Sequence, residues 1–240
     1  MTEIKRSRHG LRYAQKWFAR RASTRDALGV VAYLQFLGTR PSGPFVRRQF
    51  STVLIDLHRE PDAIMADMHR NVRAEIRRAE GEGISWEQGV DTAEFAAFHG
   101  AFAREKGIEG FDLQRLRSFG ASLFLTRAVL HGKTLAQHAY IVDSAESRAR
   151  FLYSSSGRFE GANSALVGRA NRWCHWKDML CLRDRGIRTY DLGGIASGTA
   201  DAEERAGIDE FKLRFGGAVV REDHLLSPLY ALARVLGGVR

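Results

Sequence analysis

Acidic residues, cysteines and long apolar runs are all scarce in this chain of 240 residues. Aspartate and glutamate number 28 against 37 lysines and arginines, giving a formal charge of +9 and a pI of about 10.0. That balance favours anionic partners such as nucleic acid, CoA, sugar or lipid phosphates, or an acidic membrane surface. The two cysteines, Cys174 and Cys181, share one face of a predicted helix and cannot bridge each other. No stretch reaches the roughly 18 apolar residues of a bilayer span, and the N-terminus lacks the apolar core and cleavage pattern of a signal peptide, which predicts a cytoplasmic protein. The eight histidines are scattered without a recurring carboxylate–histidine spacing, so no metal is expected. Neither a Ser-His-Asp order nor a Cys-His pairing stands out, which argues against a covalent intermediate. What the chain has in quantity is apolar side chains, 44% of the total, enough to build the core of one large or two small domains.

The first 25 residues carry eight cations against Glu3 alone. Arg8, Arg12, Lys16 and Arg20 recur at i+4, which predicts a helix with a cationic stripe and with Leu11, Trp17 and Phe18 left for packing or a lipid interface. A solvated face, an RNA contact and a peripheral contact with the acidic inner face of a membrane all remain open for it. Residues 27–37 are apolar, GTRPSGP breaks the chain, and FSTVLIDL reads as a strand. Met65, Met68, Val72, Ile76 and Ala79 predict one helix from Asp62 to Glu80, with Arg70, Arg73 and Arg77 on another face. Those arginines, with Arg78, are either a solvated face or a site for an acceptor phosphate or nucleotide.

From Ile84 the expected order is a strand (ISWEQ), helices at 92–106 and 112–119, and strands at 123–130, 134–142 and 150–155 joined by hairpin turns. A long helix (164–185) ended by Gly186 follows, then the strand IRTYDL, which must cross over and pair in parallel, then a short helix and a last strand.

Three stretches sharpen this pattern: NVRAEIRRAEGEGI (71–84), the long helix running into GIRTYDLGGI (186–195), and GIDEFKLRFGG (207–217). With the element order over residues 50–221 they resemble the Fem-type branch of the GNAT superfamily, the peptidoglycan-bridge aminoacyltransferases and their acetyltransferase-like relatives. The resemblance implies an α/β (α+β) GNAT fold, with a mixed, mostly antiparallel sheet flanked by helices. Residues 84–240 would form a complete GNAT-like domain, and residues 1–83 the basic helical segment plus the closing strand and helix of a partial one. It implies an N-acyltransferase that moves an acetyl, aminoacyl or other acyl group from acyl-CoA or aminoacyl-tRNA onto an amine of a cell-envelope sugar or peptide precursor. The alternative is a non-catalytic module of the same fold that binds RNA or an acidic membrane.

The same resemblance points to site residues. In this fold the acyl donor lies where neighbouring strands splay, so Gly193, Gly194 and Gly216, with Gly217, suit a wall that backbone must approach; turn glycines are the other reading. Arg158, Gly161 and Asn163 in SSSGRFEGAN resemble the loop that holds the CoA pyrophosphate, although Asn163 stands where a small residue is usual and suits a helix N-cap. Lys212, between Phe211 and Phe215, would meet the donor or the charge developing on its carbonyl. Asp191 is a candidate general base or a turn cap, and Tyr153, beside Ser154, a candidate proton donor. Arg73, Arg77, His138 and Phe211 are candidate acceptor contacts, and His138 and His175 are either bases or buried structural histidines.

Overall fold

The computed structural model describes residues 1–39, 41, 43–108, 110, 113–157, 163–196 and 202–239, the side chains of 202–205 excepted. Its elements run β1 (Thr2–Arg8), β2 (Leu11–Trp17), α1 (Thr24–Ala27), β3 (Val31–Phe36), β4 (Val46–Asp56), α2 (Pro61–Asp67) and α3 (Arg70–Gly81). They continue β5 (Ser85–Gln88), α4 (Thr92–Lys106), α5 (Leu113–Arg117), β6 (Leu123–Leu130), β7 (Lys133–Asp143), β8 (Arg148–Ser156), α6 (Ser164–Asp184), β9 (Thr189–Gly194), α7 (Ala202–Leu213), β10 (Ala218–Leu226) and α8 (Pro228–Val235). Among the described residues the strands form one ten-stranded sheet in the order β1-β2-β3-β10-β4-β9-β8-β7-β6-β5. The mixed sheet flanked by helices is the expected fold class, and the parallel pairing of β8 with β9 follows from the crossover through α6.

The basic N-terminus is a hairpin, not a helix. Arg8 pairs with Leu11 across a two-residue turn in which His9 (φ 49°) and Gly10 (φ 79°) are both left-handed, the condition for a type I′ connection. An i+4 repeat is also an even number of residues, so it fits one face of a strand as well as one face of a helix. The burial of Ile4, Tyr13, Gln15 and Trp17 at two-residue spacings shows which period won.

The predicted helix over 62–80 is two helices. At Met68 the backbone turns extended (ψ 146°), and the His69 N–H leaves the helical ladder to donate to the Arg214 carbonyl at 2.8 Å. The His69 ring then accepts from Asn71 N, and Arg73 Nη1 donates to the Ala66 and Met68 carbonyls at 2.9 and 2.6 Å, closing the end of α2. Against one face of the sheet, α3 and α6 bury Val72, Ile76, Val167, Trp173, Met179 and their neighbours over Phe124, Tyr140 and Tyr190. Against the other, Phe95 of α4 and Leu116 of α5 cover Leu125 and Ala139, with Tyr153 packed beside them.

Candidate functional site

The sheet opens at one seam. β8 and β9 pair only over Arg148↔Thr189, Ala149↔Tyr190 and Arg150↔Asp191. Beyond that β9 stays with β4, through Thr52↔Gly194, while β8 runs on to Ser156 beside β7. A bulge in the β7–β8 ladder, between Ala139↔Tyr153 and Tyr140↔Phe151, bends β8 at the same point. From Phe151 onward the β9-facing edge of β8 therefore has no strand partner among the described residues. Gly193 (φ 80°) stands at the mouth, where a Cβ would lie 3.2 Å from the Phe151 carbonyl oxygen. Glycine is required there by both the left-handed backbone and the close approach.

The α6 side of this opening is backed by a buried polar network. Asp178 on α6 accepts from Trp86 Nε1 at 2.8 Å, from Tyr140 OH at 2.5 Å and from His138 Nδ1 at 2.7 Å. The chain continues from Tyr140 OH to Tyr190 OH (2.7 Å) and from there to His175 Nδ1 (2.6 Å). With the Tyr140 proton given to Asp178, the Tyr190 hydroxyl donates to Tyr140 and His175 Nδ1–H donates to Tyr190. That leaves the buried Nε2 of His175 as a bare lone pair, which has no partner among the described residues. Burial, reinforced by His138, Lys212 and Arg172, holds His175 well below the ordinary histidine range, so it stays neutral. Burial, then the Asp178 charge, pushes Tyr140 well up, and Tyr190 is raised in the same way. His138, His175 and Asp178 lie close enough to hold a cation, but each is fully buried, with His138 engaged by Asp178 and His175 Nδ1 by Tyr190.

Lys212 closes the far side. Phe211 and Phe215 of the α7 segment pack on the His175 ring at 5.7 and 5.2 Å between centroids, and Lys212 between them is half-buried and donates through Nζ to the Gly194 carbonyl. Arg172 lies over the Phe211 ring at 5.3 Å and pairs with Glu75 at 3.0 Å. On the open stretch of β8 the Ser154 hydroxyl meets Asn171 Oδ1 at 3.4 Å, and Ser154, Asn171, Arg172 and Lys212 are all half-buried. Asn163 caps α6 by accepting from the N–H groups of Ala165 and Leu166, whereas Arg158 and Gly161 lie outside the described residues.

Several of the residues singled out above lie elsewhere. Tyr153 is on the opposite face of the sheet from Lys212, its ring 5.9 Å from that of His99, because the bulge sends both Leu152 and Tyr153 toward the α4 side. Arg73 is occupied at the α2–α3 break, and Arg77 is exposed on α3. A Cβ on Gly194 would strike the Phe50 ring at 2.7 Å, and one on Gly216 (φ 81°) would strike the Asp67 carbonyl. These two glycines admit the protein's own atoms.

Asp191 is fully buried and accepts from Arg148 Nη2 (2.5 Å), Gln35 Nε2 (2.7 Å), Gly193 N (2.8 Å) and the Thr52 hydroxyl. Arg148 also pairs with Glu222 at 2.7 Å, so the cluster ties β3, β4, β8, β9 and β10 together. Burial raises the Asp191 pKa, but Arg148, Arg150 and the donated hydrogen bonds outweigh it and hold the carboxyl below its usual range. A general base must reach the proton it takes and bind it near neutral pH. Asp191 does neither.

The sequence reading passed over Asp178, Tyr140, Tyr190 and Asn171. A signal was present: Asn171, His175 and Asp178 recur at helical spacing among apolar residues of α6, and His138 and Tyr140 share a strand face.

No protein-family model matches the sequence, and no curated protein matches it. Solved structures do. FemX matches with a TM-score of 0.62 at 14% identity, over 78% of this chain and 63% of that one, so the chain spans less than two thirds of FemX. The C-terminal domain of an Agrobacterium fabrum protein assigned as a lysylphosphatidylglycerol synthetase matches with a TM-score of 0.61 at 13% identity, over 98% of this chain and 84% of that one. L-PGS from Bacillus licheniformis matches with a TM-score of 0.57 at 10% identity, over 90% and 75%. These likenesses show that the chain has the fold that FemX, the Agrobacterium fabrum domain and L-PGS share.

Proposed function

We propose that the protein is an acyltransferase of the GNAT type, which binds its donor with the acyl group at the open edge of β8 and passes that group directly to an amine. The observation that carries this reading is the parting of β8 from β9 after three residue pairs, with the Lys212 ammonium held beside it. Strand-edge N–H groups without a ladder partner are donors for a carbonyl oxygen or a phosphate, and a half-buried ammonium stabilises negative charge developing on an acyl carbonyl. The network from Asp178 to His175 serves as a rigid floor that keeps Phe211, Phe215 and hence Lys212 in register. Asp191 ties the strands together where β8 and β9 still pair, and takes no part in proton transfer.

Among the structural neighbours, the synthetases' name denotes attachment of a lysyl group to phosphatidylglycerol, and this supports aminoacyl as well as acetyl donors for this chain. An amine on a cell-envelope sugar or peptide remains the acceptor class that the Fem-type resemblance suggests. The test offers purified protein acetyl-CoA, longer acyl-CoA or charged tRNA, with a panel of amino sugars, precursor peptides and phospholipids, and follows product by mass. Transfer from one donor, lost on Lys212→Met, supports the proposal; no transfer from any donor defeats it. Loss of CoA binding in Arg158→Gln selects CoA as the donor, and retained binding excludes that loop.

A further inference from the structure

At the free edge of the sheet, away from the β8–β9 opening, lies a cavity of about 690 Å³. Lys5, Arg6 and Arg8 of β1, Arg12 of β2 and Arg115 of α5 line it, and none of the described lining residues is acidic. Lys5, Arg6, Arg8 and Arg12 have no ion-pair partner among the described residues, although the protein elsewhere pairs many of its arginines. Two guanidinium nitrogens, Nη2 of Arg6 and Nη1 of Arg8, are buried and donate to nothing among the described residues. A buried donor left unmade is costly, and a cluster of like charges adds to the cost. Arg6 is nevertheless fixed, donating from Nε to Ser118 Oγ at 2.9 Å and stacking over the Phe119 ring at 4.8 Å. Burial, then the neighbouring Arg115 charge, lowers its pKa.

We propose that this cavity binds a phosphate group, carried either by a soluble phosphate ester or by a lipid headgroup. The guanidinium groups of Arg6 and Arg8, side by side on one face of β1, with Arg115 of α5 beside Arg6, suit a tetrahedral oxyanion, whose oxygens accept from more than one planar fork. The volume lies in the range of small-ligand sites, which leaves room for the alcohol that the phosphate esterifies. The inference stands apart from the acyl-transfer reading, since it needs neither Lys212 nor the β8–β9 opening.

The test titrates the full chain with inorganic phosphate by calorimetry, against sodium chloride of equal ionic strength. Saturable binding of one phosphate is expected, weakened roughly tenfold or more in Arg8→Gln and again in Arg6→Gln, as befits loss of a charge-assisted hydrogen bond. Lys106→Gln, on exposed α4 surface, should bind like the parent. Phosphate binding no stronger than chloride, or unchanged in both arginine variants, overturns the proposal. A second arm uses sedimented vesicles of phosphatidylglycerol in phosphatidylcholine, and of phosphatidylcholine alone. Retention on the anionic vesicles that phosphate displaces and Arg8→Gln abolishes identifies a headgroup as the source; phosphate binding without retention identifies a soluble ester. Retention indifferent to phosphate and to Arg8→Gln is plain surface attraction and counts against the site.

Discussion

Asp191→Asn separates a structural tie from a catalytic base. The parent carboxylate is fully buried and accepts from Arg148, Gln35, Thr52 and the Gly193 amide, so an amide of the same shape places an NH2 against a donor and leaves one buried cation short of charge. Breaking one side of a buried pair costs about 3–5 kcal/mol. For a domain of this size each kcal/mol moves Tm by about 2–4 °C, so the melting point should fall by roughly 6–20 °C. Urea denaturation followed by circular dichroism measures the loss directly. The pH dependence has a definite sign. The folded carboxyl titrates below its unfolded value of about 3.9, so its contribution is complete above about pH 4 and disappears as pH falls through the lowered folded value. The acid limb of the stability curve should therefore be shallower in the variant. An Asp191→Asn protein that unfolds within about 1 kcal/mol of the parent, well short of that buried-pair penalty, yet has lost transfer activity would refute the tie and reinstate the base.

Lys212→Met keeps most of the stem's packing and removes the charge, so the variant should fold and lose on the order of 100- to 1000-fold in turnover with a smaller change in KM; turnover within about threefold of the parent, far short of that loss, makes the lysine a bystander. His99 and His224 are both held down to about 4, chiefly by burial, and His224 Nδ1 accepts from the Gln35 N–H. Below about pH 6.5 the unfolded chain binds protons there that the folded chain refuses, so urea midpoints should drop as pH falls from about 6.5 to about 4, and His99→Gln with His224→Gln should flatten that slope. Gly216→Ala forces a Cβ into a left-handed residue against the Asp67 carbonyl and should cost at least about 1–2 kcal/mol, read as a lower urea midpoint with unchanged slope.

The chain from Ile84 was readable in one dimension because local signals agreed: alternating strands, hairpin turns, a capped helix ended by Gly186, and too long a connection for anything but a parallel return. The order of those elements was enough to anticipate the fold that the chain shares with FemX. Period alone could not decide the N-terminus, where an i+4 repeat suits either helix or strand and the pairing of β2 with β3 supplied the answer. Nor could it show that α2 and α3 part at His69, since the acceptor for that N–H is the carbonyl of Arg214, far along the chain. The site divides in the same way. Lys212 and its flanking phenylalanines were legible as a motif, and Asn163 as a cap, because both depend on neighbours in sequence. Asp191 and Tyr153 were misleading for the opposite reason: burial among strands from both ends of the chain made one a tie, and a bulge of one residue turned the other to the far face of the sheet. Residue type and spacing determine which side chains are available for chemistry, while exposure, facing and charge partner are set by residues distant in sequence, and these only the tertiary structure decides.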